Sequence, residues 1–95
     1  MPSYITLLNF TQKGIESIKE SPERLKGAAK AFEEHGGKLK SAWYTMGQYD
    51  IVVVTEFPND EAATKAMLAT ASRGTVQGET LRGFTPEEFS ALLGS

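Results

Sequence analysis

Between Tyr49 and Phe57 the chain places Ile51, Val52, Val53 and Val54 in an unbroken apolar run. Successive side chains of a strand point to opposite faces, so a strand built on this run is apolar on both. The same holds near the N-terminus, where Tyr4 to Phe10 turns Ile5 and Leu7 to one face and Tyr4, Leu8 and Phe10 to the other. Strands of this kind belong in the middle of a sheet that is covered on both sides. The fold must therefore supply two covering layers, one for each face.

The helices the sequence predicts supply only one. Ser21-Pro22-Glu23 reads as a helix start, with a hydroxyl cap, proline in the first turn and a carboxylate at the positive dipole end. Leu25, Ala28, Ala29 and Phe32 then form one apolar stripe, and Gly36-Gly37 ends the helix. The stretch Thr11 to Glu20 reads as a loop with a short helix. Lys38 to Met46 and Tyr49 to Phe57 are predicted as the second and third strands, joined by a tight hairpin at Gly47-Gln48. Asn59 or Asp60 caps a second helix whose buried stripe is Ala63, Ala66, Met67 and Thr70, and Arg73-Gly74 closes it. Thr75 to Phe84 is the fourth strand, and Thr85-Pro86-Glu87-Glu88 starts a short final helix running through Leu93.

The order β-α-β-β-α-β predicts a single α+β domain over residues 1–95 of the ferredoxin-like kind, an antiparallel sheet in the order 4-1-3-2 with both main helices on one face. The final helix is too short to cover four strands. The second face is therefore expected to meet another copy of the chain, since an apolar patch of that size is uncommon on a monomer.

Composition narrows the chemistry. There is no cysteine and a single histidine, His35, so disulfides, thiolate nucleophiles and Cys/His metal sites are excluded. The acidic pairs Glu33-Glu34, Asp60-Glu61 and Glu87-Glu88 are adjacent in sequence and diverge on a helix, so no metal is expected. His35 itself reads as an exposed imidazole at a helix C-terminus. Ten basic side chains against twelve acidic ones leave a net charge of −2, without the basic surplus of a nucleic-acid or anionic-membrane binder. Neither G-x-G-x-x-G nor the P-loop pattern occurs, so no nucleotide cofactor is expected. Without a leader-like or membrane-spanning run, the reading is a cytoplasmic protein.

At the hairpin, Gly47-Gln48-Tyr49-Asp50 followed by Ile51 to Val54 resembles the Gly-x-Tyr-Asp motif for which the GYD-domain family is named. The resemblance extends through Tyr4-Ile5, Leu8-Asn9, Gly14, Ser21-Pro22 with Arg24, Gly36-Gly37, Lys40, and Glu79-Thr80-Leu81-Arg82 with Phe84. It implies a ferredoxin-like domain of the dimeric α+β barrel type. The family has no assigned activity, so the resemblance carries over no catalytic residue.

Five residues remain as candidates for a site: Tyr4, Trp43, Tyr49, Asp50 and Arg82. Tyr49 and Asp50 pair a phenol donor with a carboxylate able to act as acceptor or base. The alternative is structural, with Asp50 satisfying turn N–H groups or pairing with Arg73. Arg82 offers a planar fork for a carboxylate or phosphate, or else an ion pair within the chain or across the oligomer interface, with Glu56 as a candidate partner. Trp43 and Tyr44 are adjacent on a strand and must face opposite sides, one under the helices and one toward a partner or ligand. The function expected from these residues is an oligomeric domain that binds a small organic or anionic ligand, between sheet and helices or at the subunit interface. The alternatives are a cofactor-independent oxygenase or isomerase with Asp50 as proton carrier, and a purely structural or interaction subunit.

Overall fold

The chain runs β1 (Ser3–Phe10), α1 (Gln12–Glu16), a 3-10 turn (Ile18–Glu20), α2 (Ser21–Glu34), β2 (Lys38–Tyr44), β3 (Ile51–Glu56), α3 (Asp60–Ala71), β4 (Val76–Gly83) and α4 (Pro86–Gly94) in a computed structural model that describes residues 1–94. The four strands form one antiparallel sheet in the order β2-β3-β1-β4, the ferredoxin-like arrangement expected from the element order.

Register decides which side chains share a face. Thr6 lies opposite Val53 on β3 and Thr80 on β4, and Leu8 lies opposite Ile51 and Gly78. These residues, with Tyr4 and Thr55, face α2 and α3. The other set pairs Ile5 with Val54 and Leu81, and Leu7 with Val52 and Glu79. It faces away from both helices.

The core lies on the helix side and is built from Tyr4, Ala28, Phe32, Phe57, Ala63 and Ala66. Alanine at the facing helix positions lets both helices sit close to the sheet, and the aromatic rings fill the volume that remains. Phe57 is 0 % exposed and takes edge contacts from Tyr4 and Phe32, with ring centroids 6.1 and 5.7 Å away. Thr55 is equally buried, and its hydroxyl has no hydrogen-bond partner among the described residues, a cost of about 1–3 kcal/mol that this core carries.

Three local expectations are corrected. The strands end earlier than the pattern suggests: β2 stops at Tyr44 and β3 begins at Ile51, so the hairpin is not a two-residue turn. The wider loop is closed by Thr45 N–H donating to Asp50 O at 2.8 Å and by the Thr45 hydroxyl donating to Tyr49 O at 2.6 Å. A type I′ turn needs positive φ at both central residues, and here only Gly47, at +107°, adopts it. Second, Ser21 does not cap α2. The 3-10 turn runs straight on, leaving Ser21 helical at φ −54°, and its buried hydroxyl bonds Tyr44 Oη at 2.9 Å. Third, Arg82 does not pair with Glu56, because Glu56 aligns with Ser3 and Gly83 on the open face while Arg82 aligns with Tyr4 on the helix face.

The remaining caps stand as expected. Asn59 Oδ1 accepts from Ala62 N–H at 2.9 Å. Thr85 and Glu88 satisfy each other's backbone N–H groups at 3.1 and 2.8 Å, a capping box that holds the Glu88 carboxyl below the usual carboxylate range, chiefly through the Thr85 N–H. The short α4 so started leaves the second sheet face open. Trp43 is 65 % and Leu81 46 % exposed, with Ile5, Leu7, Val52 and Val54 half-buried between them.

Candidate functional site

The structure distributes the five candidates among three places, and the one pair it brings together from distant parts of the chain is Tyr4 and Arg82. Tyr4 and Arg82 meet because they are register partners on β1 and β4. The Arg82 guanidinium lies 5.8 Å from the centroid of the Tyr4 ring and 4.4 Å from that of Phe84, and it donates to Ser3 O at 3.4 Å and to Gly83 O. Tyr4 Oη in turn donates to Asp60 Oδ1 at 2.5 Å. Burial, then the bond to the Asp60 carboxylate and its charge, push the Tyr4 phenol above its ordinary pKa, with Arg82 opposing, so it stays a proton donor throughout the neutral range.

These groups line one side of an open groove of about 440 Å³ between α3 and β4, together with Thr64, Met67 and Thr80. Asp60 is the member that the sequence places only at a helix start, within a divergent acidic pair. Fifty-six positions separate it from Tyr4, and no local spacing signals such a pair. Its place at the first helical position, with its carboxylate near the positive dipole end, is the only trace in the sequence.

Tyr49 and Asp50 sit at the opposite end of the sheet and serve it. Asp50 N–H donates to Leu8 O at 2.8 Å, and Asp50 Oδ2 accepts from Phe10 N–H at 3.0 Å. The carboxylate thus continues the β1–β3 pairing past the last strand residue, in place of the expected contact with Arg73. Tyr49 Oη reaches Glu79 Oε1 on β4 at 3.1 Å, a bond that pushes the Tyr49 phenol upward. Trp43 aligns with Val52 on the open face, and Tyr44 with Ile51 on the helix face. His35 ends α2, with Nδ1 2.9 Å from Ala31 O.

The anchoring role of Asp50 is measurable. Asp50→Ala removes the acceptor for Phe10 N–H and is expected to cost about 2 kcal/mol, while Asp50→Asn, which keeps an acceptor oxygen, is expected to cost about half of that. Urea unfolding of the two variants beside the parent checks the order; equal losses would remove the Phe10 bond as the cause.

A second depression, a cavity of about 140 Å³, lies between α2, α3 and the sheet. Its floor carries Leu8 and Ile51, and its walls carry Ala28 and Phe32 from α2 and Met67 and Ala71 from α3. Neither Asp50 nor Arg82 lines it. Among the described residues no cluster of metal-ligating side chains occurs, and no helix is long and apolar enough to cross a membrane.

Comparison with known proteins agrees with the motif at the hairpin. No solved structure matches the chain significantly. A protein of Thermus thermophilus named glutamine synthetase and cystathionine beta-lyase binding protein is 33 % identical over 94 residues, covering 98 % of this chain and 99 % of its own. The model of the GYD domain matches residues 4–93, which takes in all four strands but for Ser3, the groove, the cavity and the Asp50 anchor. With the family model and a relative of nearly the same full extent in agreement, this chain belongs to the GYD domain family.

Proposed function

We propose that this protein is a self-associating protein-interaction domain, in which a second copy covers the open face of the sheet. The observation that carries the reading is that face itself: Ile5, Leu7, Trp43, Val52, Val54 and Leu81 are contiguous across all four strands, and Trp43 and Leu81 stand exposed. Four strands of eight, seven, six and eight residues, at about 4.8 Å spacing and about 3.3 Å rise, have a flat footprint of roughly 450 Å². Side-chain relief raises that toward the roughly 800 Å² per partner of a standard interface. A second copy is the fitting occupant because a two-fold pairing sets the same apolar centre against itself and leaves Lys38, Glu56 and Glu79 near the rim.

The Thermus relative is named for binding two enzymes, and its likeness extends over nearly the whole of both chains. The corresponding role here is to bind glutamine synthetase and cystathionine beta-lyase as a dimer, through surfaces that pairing leaves free. Sedimentation equilibrium of the purified chain is expected to return twice 10.3 kDa, and Val52→Lys with Trp43→Ser is expected to return one protomer that keeps its circular dichroism spectrum. A folded monomer for the unsubstituted chain at high micromolar concentration overturns the pairing. Failure of the dimer to retain either enzyme, each purified and tested separately, overturns the interaction role.

The cavity between α2 and α3 favours a second reading, a domain that binds a small ligand. Nothing in the geometry favours a reaction at Asp50, whose carboxylate is engaged by Phe10 N–H and lines neither depression.

A further inference from the structure

We propose that the cavity between α2, α3 and the sheet takes a small monocarboxylate with a compact apolar body, a single aromatic ring or a branched chain, whose carboxylate is held by Arg73 at the mouth. This rests on the small-ligand reading above and names its ligand class. Size sets the first limit. At about 140 Å³ the space is close to the roughly 150 Å³ apolar cavity known to accept benzene, so a six-membered ring fits and a nucleotide does not.

The lining sets the second. Most of it is apolar, and the hydroxyls of Thr6, Thr80, Ser21 and Thr70 that reach it are already bonded within the protein, Thr70 to Ala66 O at 3.1 Å. Thr6 Oγ1 is shared with Thr80 Oγ1 at 3.0 Å and lies 3.7 Å from Met67 Sδ, and Ser21 Oγ is bonded to Tyr44 Oη. These bonded hydroxyls ask no polar group of a ligand, and an apolar body replaces water beside them without breaking their pairing.

The mouth sets the third. Two arginines border it, in different states. Arg24 is pinned by bonds to Ser17 O and Ser17 Oγ at 2.9 and 3.0 Å, with Gly14 O at 3.4 Å and Glu20 at 3.9 Å. Arg73, just beyond α3, extends its guanidinium toward α2, where a Cβ placed on Gly27 would lie 3.7 Å from Nη1. No carboxylate lies within ion-pair distance of it among the described residues. Glu79, on the β4 segment that borders the cavity, turns its carboxylate to the open face, where Tyr49 engages it. An apolar chamber under one uncompensated, fork-shaped cation suits an amphipathic anion, with the ring inside and the carboxylate bidentate on Arg73.

Amide chemical shifts of the isotopically labelled full chain, titrated with benzoate and with benzyl alcohol, test this. Benzoate is expected to shift Leu25, Ala28 and Ala71 and to bind at least tenfold more tightly than benzyl alcohol. Arg73→Gln, at an exposed position, is expected to remove that difference, and Ala71→Leu, at the exposed rim, to abolish binding of both. Equal binding of the two probes to the unsubstituted chain overturns the carboxylate class while leaving the cavity as a ligand site. Absence of shifts with either probe overturns the ligand site as well.

Discussion

Phe57→Ala is expected to lower the stability of the fold by about 3–5 kcal/mol, the range for emptying a buried aromatic position. Phe57 has no solvent exposure, and it stands where the end of β3 turns under both helices, in edge contact with Phe32 of α2 and Tyr4 of β1. Its removal takes from both rings their edge contact, and the surrounding alanines at 28, 63 and 66 are too short to collapse into the space. For a chain of this length the loss corresponds to a fall in Tm on the order of 20 °C. Thermal unfolding followed by circular dichroism reads it directly. Phe57→Leu, which refills most of the volume, is expected to recover more than half of the loss; if leucine does no better than alanine, ring packing is not what makes this position important.

Gly14→Ala is the second large effect, expected to destabilise by about 3 kcal/mol although it adds only a methyl group. Gly14 lies in the short α1, buried against the chain entering β4, and a Cβ there would stand 2.1 Å from Thr75 O, a backbone atom that cannot swing aside. To make room, α1 must lift from Thr75, and the bonds that seat it go with it: Thr11 N–H to Thr75 O at 3.1 Å and the Thr11 hydroxyl to Gly74 O at 2.5 Å. The lost contacts lie on the far side of the molecule from Phe57, so the double variant is expected to be additive. Urea titration of Gly14→Ala beside Gly27→Ala discriminates the cause. Gly27 is also helical, but its Cβ would meet only the Arg73 guanidinium at 3.7 Å, so the better helix propensity of alanine makes Gly27→Ala neutral to mildly stabilising, and equal losses at the two positions would remove the collision with Thr75 as the cause.

Much of the fold was legible because it depends on local periodicity. The doubly apolar Ile51–Val54 run, the alanine stripes of α2 and α3, and the Asn59 and Thr85 caps each act within a few residues, and each appears where the pattern places it. Ser21 shows the limit of such reading. Ser-Pro-Glu has every feature of a cap, but whether serine is the cap or the first helical residue depends on the conformation arriving from Lys19 and Glu20, and here that conformation is already helical. The hairpin failed for a similar reason: Asp50 is held by two bonds to β1, and that long-range tie widens the loop around Gly47.

The candidate site was less legible. Tyr4 and Arg82 could be placed at one end of the sheet from topology, because register follows from strand order. Asp60 could not be joined to them, since its partner is chosen by how far α3 leans over β1. The alternative pairing of Asp50 with Arg73 fails for the same reason: the Arg73 guanidinium points at α2, and Asp50 takes a backbone partner.

The sequence by itself determined that two central strands are apolar on both faces, and with that an antiparallel sheet bearing helices on one side and an unfilled need on the other. It could do so because strand period and helix period are properties of neighbours along the chain. Only the tertiary structure decided that Trp43 and not Tyr44 belongs to the open face, that Asp50 anchors β1, and that Tyr4, Asp60 and Arg82 share a groove. Those outcomes depend on register and on the seating of helices over the sheet, which are set by packing between segments far apart in sequence.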